Sequence, residues 1–160
     1  MRWRVVAAAF AVVGFIAVAV AVLELTLEAV WRRAEYADLL GARAAGEVER
    51  GWVPAWVPEE ARTIKEVHNT DSGMRWVAFT LETGGVEALL AVLEREGFRA
   101  VALTSPALSP VFKARLGIVL PPERTRTLRF LWKVPEGARY GDYVAIQPEL
   151  GQVFVWSQPL

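Results

Sequence analysis

Cysteine is absent from the chain. Disulfides, thiolate metal sites, a cysteine nucleophile and a cysteine-borne lipid anchor are therefore excluded together. Histidine occurs once, as His68, so the usual imidazole and thiolate sets for zinc are out of reach and no metal site is expected. Lysine is confined to Lys65, Lys113 and Lys133, and asparagine to Asn69. The remaining cations are arginines, a bias shared by heat-adapted families and by GC-rich genomes. Net charge is zero, and no basic excess supplies the phosphate-neutralising term of a nucleic-acid binder. There is no glycine-rich phosphate loop, and no cofactor is implied.

Against these absences stands one long apolar run. Val5 to Leu23 carries no charged residue, and as a helix it would measure about 28 Å, close to the roughly 30 Å hydrocarbon core of a bilayer. Arg2 and Arg4 precede it, and Trp3 and Trp31 bracket it as headgroup-zone aromatics do. The pattern predicts a single-span signal-anchor in the inner or plasma membrane of a bacterium, with the C-terminal domain extracytoplasmic. Cleavage is the rival reading, since Ala17-Val18-Ala19 and Ala19-Val20-Ala21 fit a small-x-small site. Ala7, Ala11, Gly14, Ala17 and Ala21 fall on one helical stripe, where a membrane-protein partner or a second copy could pack closely. Alanine is so frequent here that such a stripe is also nearly unavoidable.

Glu24, Glu28, Arg32 and Glu35 continue at helical spacing, which predicts a stalk reaching about Leu40, with Gly41 and Gly46 as stop signals. Residues 1–46 are thus expected to be anchor and stalk, and residues 47–160 an α+β domain. Trp52-Val53-Pro54 and Trp56-Val57-Pro58 repeat a triplet and predict a stiff, extended lead-in. Trp52 and Trp56 are candidate partner or lipid contacts, although tacking the lead-in onto the domain is the commoner use of such residues.

Ile64 to His68 and Met74 to Glu82 read as strands around the turn residues Asn69 to Gly73. A helix follows Gly84-Gly85, with Val86, Leu89, Leu90 and Leu93 inward and Gly97-Phe98 as a glycine C-cap. A short helix from Pro110 to Leu116 comes next. Thr127 to Val134 alternates, with Leu128, Phe130, Trp132 and Val134 on one face and Arg129 and Lys133 on the other. Tyr143 to Gln147 and Gln152 to Ser157 close a hairpin around Pro148 to Gly151. These elements predict an antiparallel sheet covered on one face by one main helix.

Pro58 to Ile64, Asn69 to Ser72, Trp76 with Phe79, and the hairpin of Tyr143 to Ile146 and Val153 to Trp156 resemble a pattern in uncharacterised bacterial proteins. Those join a membrane anchor or lipoprotein signal to a small extracytoplasmic domain. The resemblance covers about residues 52 to 157; it implies location and approximate fold, and no activity. The chain departs from the lipoprotein members in lacking a lipidation cysteine.

Catalytic chemistry is poorly supplied. His68, Asp71 and Ser72 flank one tight turn, where a triad with its oxyanion hole is seldom assembled. Arg124 and Arg126, with Arg129, Arg115 and Arg139 nearby, form the one basic concentration. They are candidate contacts for acidic partners or headgroups, or a solvated face that deters edge pairing. The expected function is non-enzymatic: a tethered binding or accessory module. An envelope enzyme using Glu66, Asp71 and Arg75 is the alternative, and a secreted, signal-cleaved protein a third reading.

Overall fold

The computed structural model describes residues 13–22, 30–82, 84–101, 116–118, 128–134 and 136–159. It divides into two units, Met1–Arg32 and Arg33–Leu160. In the first, residues 13–22 are helical, and their large apolar side chains stand exposed, from Val20 at 48% to Phe15 at 75%. Among the described residues no helix is long and apolar enough to cross a membrane. The remainder of the expected span, residues 5–12 and 23, lies outside the described residues, as do Ala7 and Ala11 of the small-residue stripe. Gly14, Ala17 and Ala21 are helical and exposed.

The second unit is built on a seven-stranded sheet with the order β1-β2-β3-β7-β6-β5-β4. Its strands are β1 (Trp31–Asp38), β2 (Arg62–Asn69), β3 (Arg75–Thr80), β4 (Arg99–Ala100), β5 (Arg129–Lys133), β6 (Tyr140–Gln147) and β7 (Gln152–Pro159). Every pairing from β2 to β4 across the sheet is antiparallel. The five strands expected from sequence are all present, as β2, β3, β5, β6 and β7. The fold is α+β, with helices α1 (Leu39–Ala44) and α2 (Gly85–Arg95). Helix α2 links β3 to β4 at the far edge and lays Val86, Leu89 and Leu93 on the sheet. It ends as its sequence demands: Gly97 takes φ +91°, the Phe98 amide donates to the Leu93 carbonyl, and Phe98 is 1% exposed.

Two expectations are corrected. The predicted stalk helix does not reach Leu40, because Trp31–Asp38 is a strand. Ala34, Tyr36 and Asp38 turn inward while Glu35 and Ala37 face out, a period of two that pairing beside β2 enforces and that local charge spacing cannot override. Lys65 Nζ lies 3.3 Å from Glu35 Oε1 between these two strands. The Trp-Val-Pro repeat is not an extended lead-in either. Val57 donates to the Pro54 carbonyl and Ala61 to the Pro58 carbonyl, so each proline opens a tight turn, and the two turns fold Val53 and Val57 into the core at 0% and 3% exposure. A proline needs no donor at the first position of a turn, and its neighbours are free to close one.

The sheet departs from expectation too: both of its faces are buried, not one. Ile64, Val77, Phe79, Leu131, Val144, Ile146, Val153 and Val155 face the helices. On the reverse, Trp76, Ala78, Phe130, Phe154 and Trp156 are also buried. There the register sets Trp132 opposite Tyr143, Tyr143 opposite Trp156, and Trp156 opposite Trp76. The Tyr143 and Trp156 rings stack at 5.3 Å, and such cross-strand aromatic pairs are the strong units of a sheet. Strand β5 therefore gives Leu131 to the helical side, together with Arg129 and Lys133. The Lys133 ammonium sits 5.8 Å from the Phe98 ring centroid and 3.8 Å from Glu96.

The β2–β3 turn is organised chiefly by the Asn69 side chain, with the Met74 amide donating to Ser72 Oγ at 3.3 Å. Asn69 Oδ1 accepts from the Asp71 amide, the Ser72 amide and the Ser72 hydroxyl at 2.8 to 3.0 Å, and Gly73 supplies φ +71°. Asn69→Ala leaves those donors without their shared acceptor and is expected to cost about 1–2 kcal/mol, read as a lowered urea midpoint with unchanged slope. An unaltered midpoint would show that water replaces the amide at no cost. Residues 110–115 of the expected helix and the pair Arg124 and Arg126 lie outside the described residues; Leu116, the expected end of that helix, is helical and buried.

Candidate functional site

The sheet face that packs on the helices is apolar along most of its length and turns polar at one end. Period-two alternation places Ile64, Glu66 and His68 on that face of β2. Ile64 joins the core; Glu66 and His68 follow it inward, at 1% and 6% exposure. A third group arrives from the loop after α1. Asp38 caps α1 by accepting from the Gly41 amide at 2.9 Å. At the other end Gly46, at φ +78°, turns the chain so that the Glu47 amide donates to the Ala42 carbonyl. The Glu47 carbonyl then accepts from the Trp52 and Val53 amides, which closes a compact loop and leaves its side chain aimed inward, 8% of the residue exposed.

The result is a cluster of Glu47, Glu66 and His68, whose donor atoms lie within 4.8 Å of one another. Glu66 Oε1 and His68 Nδ1 are 2.6 Å apart, and one proton is shared across that bond. Glu47 Oε1 accepts from Arg50 Nη2 at 2.6 Å and from the Tyr36 hydroxyl at 3.3 Å. The second oxygens, Glu47 Oε2 and Glu66 Oε2, are buried with no hydrogen-bond partner among the described residues. Loss of water around Glu66, with the neighbouring Glu47 carboxylate adding to it, pushes the Glu66 carboxyl up to about 8 from 4.5, against a smaller opposing pull from Arg50. Tyr36 is raised for the same reasons, burial first and then Glu47. The Trp52 indole lies flat on the His68 imidazole, 3.9 Å between centroids and 5° between planes.

Arg75 clamps the loop over this cluster. Its Nη1 donates to the Gly51 carbonyl, its Nη2 lies 3.0 Å from both oxygens of Asp142, and its amide donates to Ser157 Oγ at 2.9 Å. Strands β3, β6 and β7 are thereby tied to residues 47–53 of the loop.

The residues singled out from sequence fare differently. Trp52 and Trp56 are both half-buried: Trp52 stacks on His68, and Trp56 meets the Phe98 ring edge-on at 5.7 Å. Of the trio Glu66, Asp71 and Arg75, only Glu66 belongs to the cluster. Arg75 is engaged by Asp142 and Gly51, and Asp71 stands exposed in the β2–β3 turn. Arg129 is exposed, 4.0 Å from Glu87, and borders a cleft of about 610 Å³ between α2 and β4–β5. Sequence reasoning misses Glu47. The alternation Glu66-x-His68 is visible in the chain, but Glu47 reaches it only through the α1 cap and loop.

The architecture is that of a small α+β domain with a carboxyl–imidazole cluster under a tryptophan-bearing loop. Residues 32–80 match the family model of the YbbD head domain, a similarity to a bacterial YbbD-like family over that stretch. The match takes in β1 to β3 with Tyr36, Glu47, Arg50, Trp52, Glu66 and His68; α2 and β4 to β7 lie beyond it. No curated protein and no solved structure matches the chain.

Proposed function

We propose that the chain is a membrane-tethered accessory protein whose extracytoplasmic α+β domain binds a partner rather than catalysing a reaction. The observation that carries this reading is the helix of residues 13–22, whose apolar side chains are exposed all round. A helix with no polar face needs an apolar medium, and the uncharged run from Val5 to Leu23 has the length a bilayer asks for. Arg2 and Arg4 before the run favour an N-terminus inside and the domain outside. The polar cluster supports binding over catalysis. Its carboxyls are withdrawn into the interior, with Glu47 8% and Glu66 1% exposed, whereas a general acid or base must reach a substrate.

The test uses full-length protein in its own membranes. It is expected to stay in the pellet after carbonate washing, and its domain to be digested by protease added to intact spheroplasts. Crosslinking should recover a defined complex. Release by carbonate would overturn the tether, and protection from protease the orientation. A chain lacking residues 5–23 that captures the same partner would place binding in the domain alone.

A further inference from the structure

Independently of the tether, we propose that Glu47, Glu66 and His68 form a binding site for a divalent first-row transition ion, Zn²⁺ foremost. Three features converge. The donor atoms of these side chains come within 4.8 Å of one another, a spread that one ion with bonds of about 2.0–2.2 Å draws together by small side-chain rotations. Two carboxylate oxygens, Glu47 Oε2 and Glu66 Oε2, are buried without a partner among the described residues. Their residues are 8% and 1% exposed, and a buried acceptor left unpaired is the usual trace of an ion or water. Finally, the donor set is chemically selective. One imidazole with two carboxylates suits zinc and its neighbours, whereas magnesium and calcium prefer oxygen ligands in larger number.

The surroundings have the features of a second layer around such an ion. Arg50 and Tyr36 hold Glu47 by Oε1, so its other oxygen is the one left to bind. Trp52 fixes the plane of the His68 ring from one side, and groups that orient a ligand in this way raise affinity. An incoming ion would take the place of the proton that Glu66 and His68 share. Arg50, which holds Glu47, is itself 55% exposed in its side chain.

The experiment uses the full-length, tag-free chain in detergent, stripped with chelator, loaded with Zn²⁺ or Co²⁺ and dialysed. One ion per chain is expected by elemental analysis, and Co²⁺ should give visible d–d bands of a low-coordinate site. Glu47→Gln, Glu66→Gln and His68→Gln should each weaken binding at least 10-fold, with folding checked by circular dichroism. Should His68→Gln fail to fold, the two glutamine-for-glutamate variants and the wild-type Co²⁺ spectrum still decide. Absence of retained metal and of d–d bands overturns the proposal. So does retention with the same affinity in both Glu→Gln variants, which would place the ion elsewhere.

Discussion

Gly151→Ala is expected to destabilise the domain by about 4 kcal/mol or more, whereas Gly137→Ala is expected to cost only about 1–2 kcal/mol. Both glycines sit in the left-handed region, at φ +61° and φ +70°, so alanine pays a similar backbone penalty at each. They differ in what a methyl group would meet. At Gly137 none of the described residues lies within 4 Å, but at Gly151 the new carbon would overlap the Leu81 carbonyl oxygen and approach the carbonyl carbon to 3.0 Å. Neither side can give way cheaply. The Leu81 amide donates to the Gly151 carbonyl at 2.8 Å, and the Leu81 side chain belongs to the core. Relief would move the β6–β7 hairpin away from β3, through the centre of the sheet order. A clash of this kind costs on the order of 4 kcal/mol or more, against a total stability of about 5–15 kcal/mol for a domain. Thermal and urea unfolding of the two variants side by side make the comparison. Equal shifts would mean that the hairpin tip moves freely and that the contact with Leu81 carries little.

How far the sequence foretells this architecture depends on whether the signal is local. The glycine cap of α2 and the Asn69 turn are set by residues within a few positions of each other, and both form as read. Burial of both sheet faces is also written in the chain. Val153-Phe154-Val155-Trp156 and Trp76-Val77-Ala78-Phe79 run apolar without alternation, which is how strands covered on both sides look. A sheet covered on one face gives those runs too little weight. Strand β1 is hidden for a different reason. Charges at spacings of three and four support a helix only where no sheet edge competes, and the partner of β1 lies beyond α1 and the loop, out of reach of local reasoning. The cluster suffers from the same gap. With Trp31–Asp38 taken as helix, Asp38 has no meaning as an N-cap for α1, and with it goes the loop that carries Glu47 to Glu66. In β5 the alternation of Phe130 and Trp132 against Arg129 and Lys133 forms as read, but bulk alone does not say which face the helices cover. The sheet puts Leu131 inside and turns the larger rings to the aromatic ladder on the reverse.

In chelator-treated protein, stability is expected to fall as pH rises from about 4.5 to about 8, and Glu66→Gln is expected to remove that fall. The direction follows from proton counting. Glu66 holds its proton up to about 8 in the folded chain and releases it near 4.5 when unfolded. Between these values the folded state binds the extra proton, so raising the pH favours unfolding. The contribution is fully present below 4.5 and lost above 8. Each tenfold difference in proton affinity is worth about 1.4 kcal/mol, so the window spans several kcal/mol, a large part of a small domain's stability. The groups around Glu66 enter the balance: Glu47 opposes its ionisation, Arg50 favours it but is engaged by Glu47, and His68 accepts or donates across the 2.6 Å bond. Arg75 is turned to Asp142 and Gly51. Glutamine keeps the shape and a donor for His68 while removing the acid, so the variant's urea midpoint should stay level where the wild type declines. The two curves should cross nowhere below neutrality and separate most at pH 8 to 9, with Glu66→Gln the more stable there. Parallel curves would mean that Glu66 ionises with little penalty. Water would then have to reach its Oε2 atom in the folded protein.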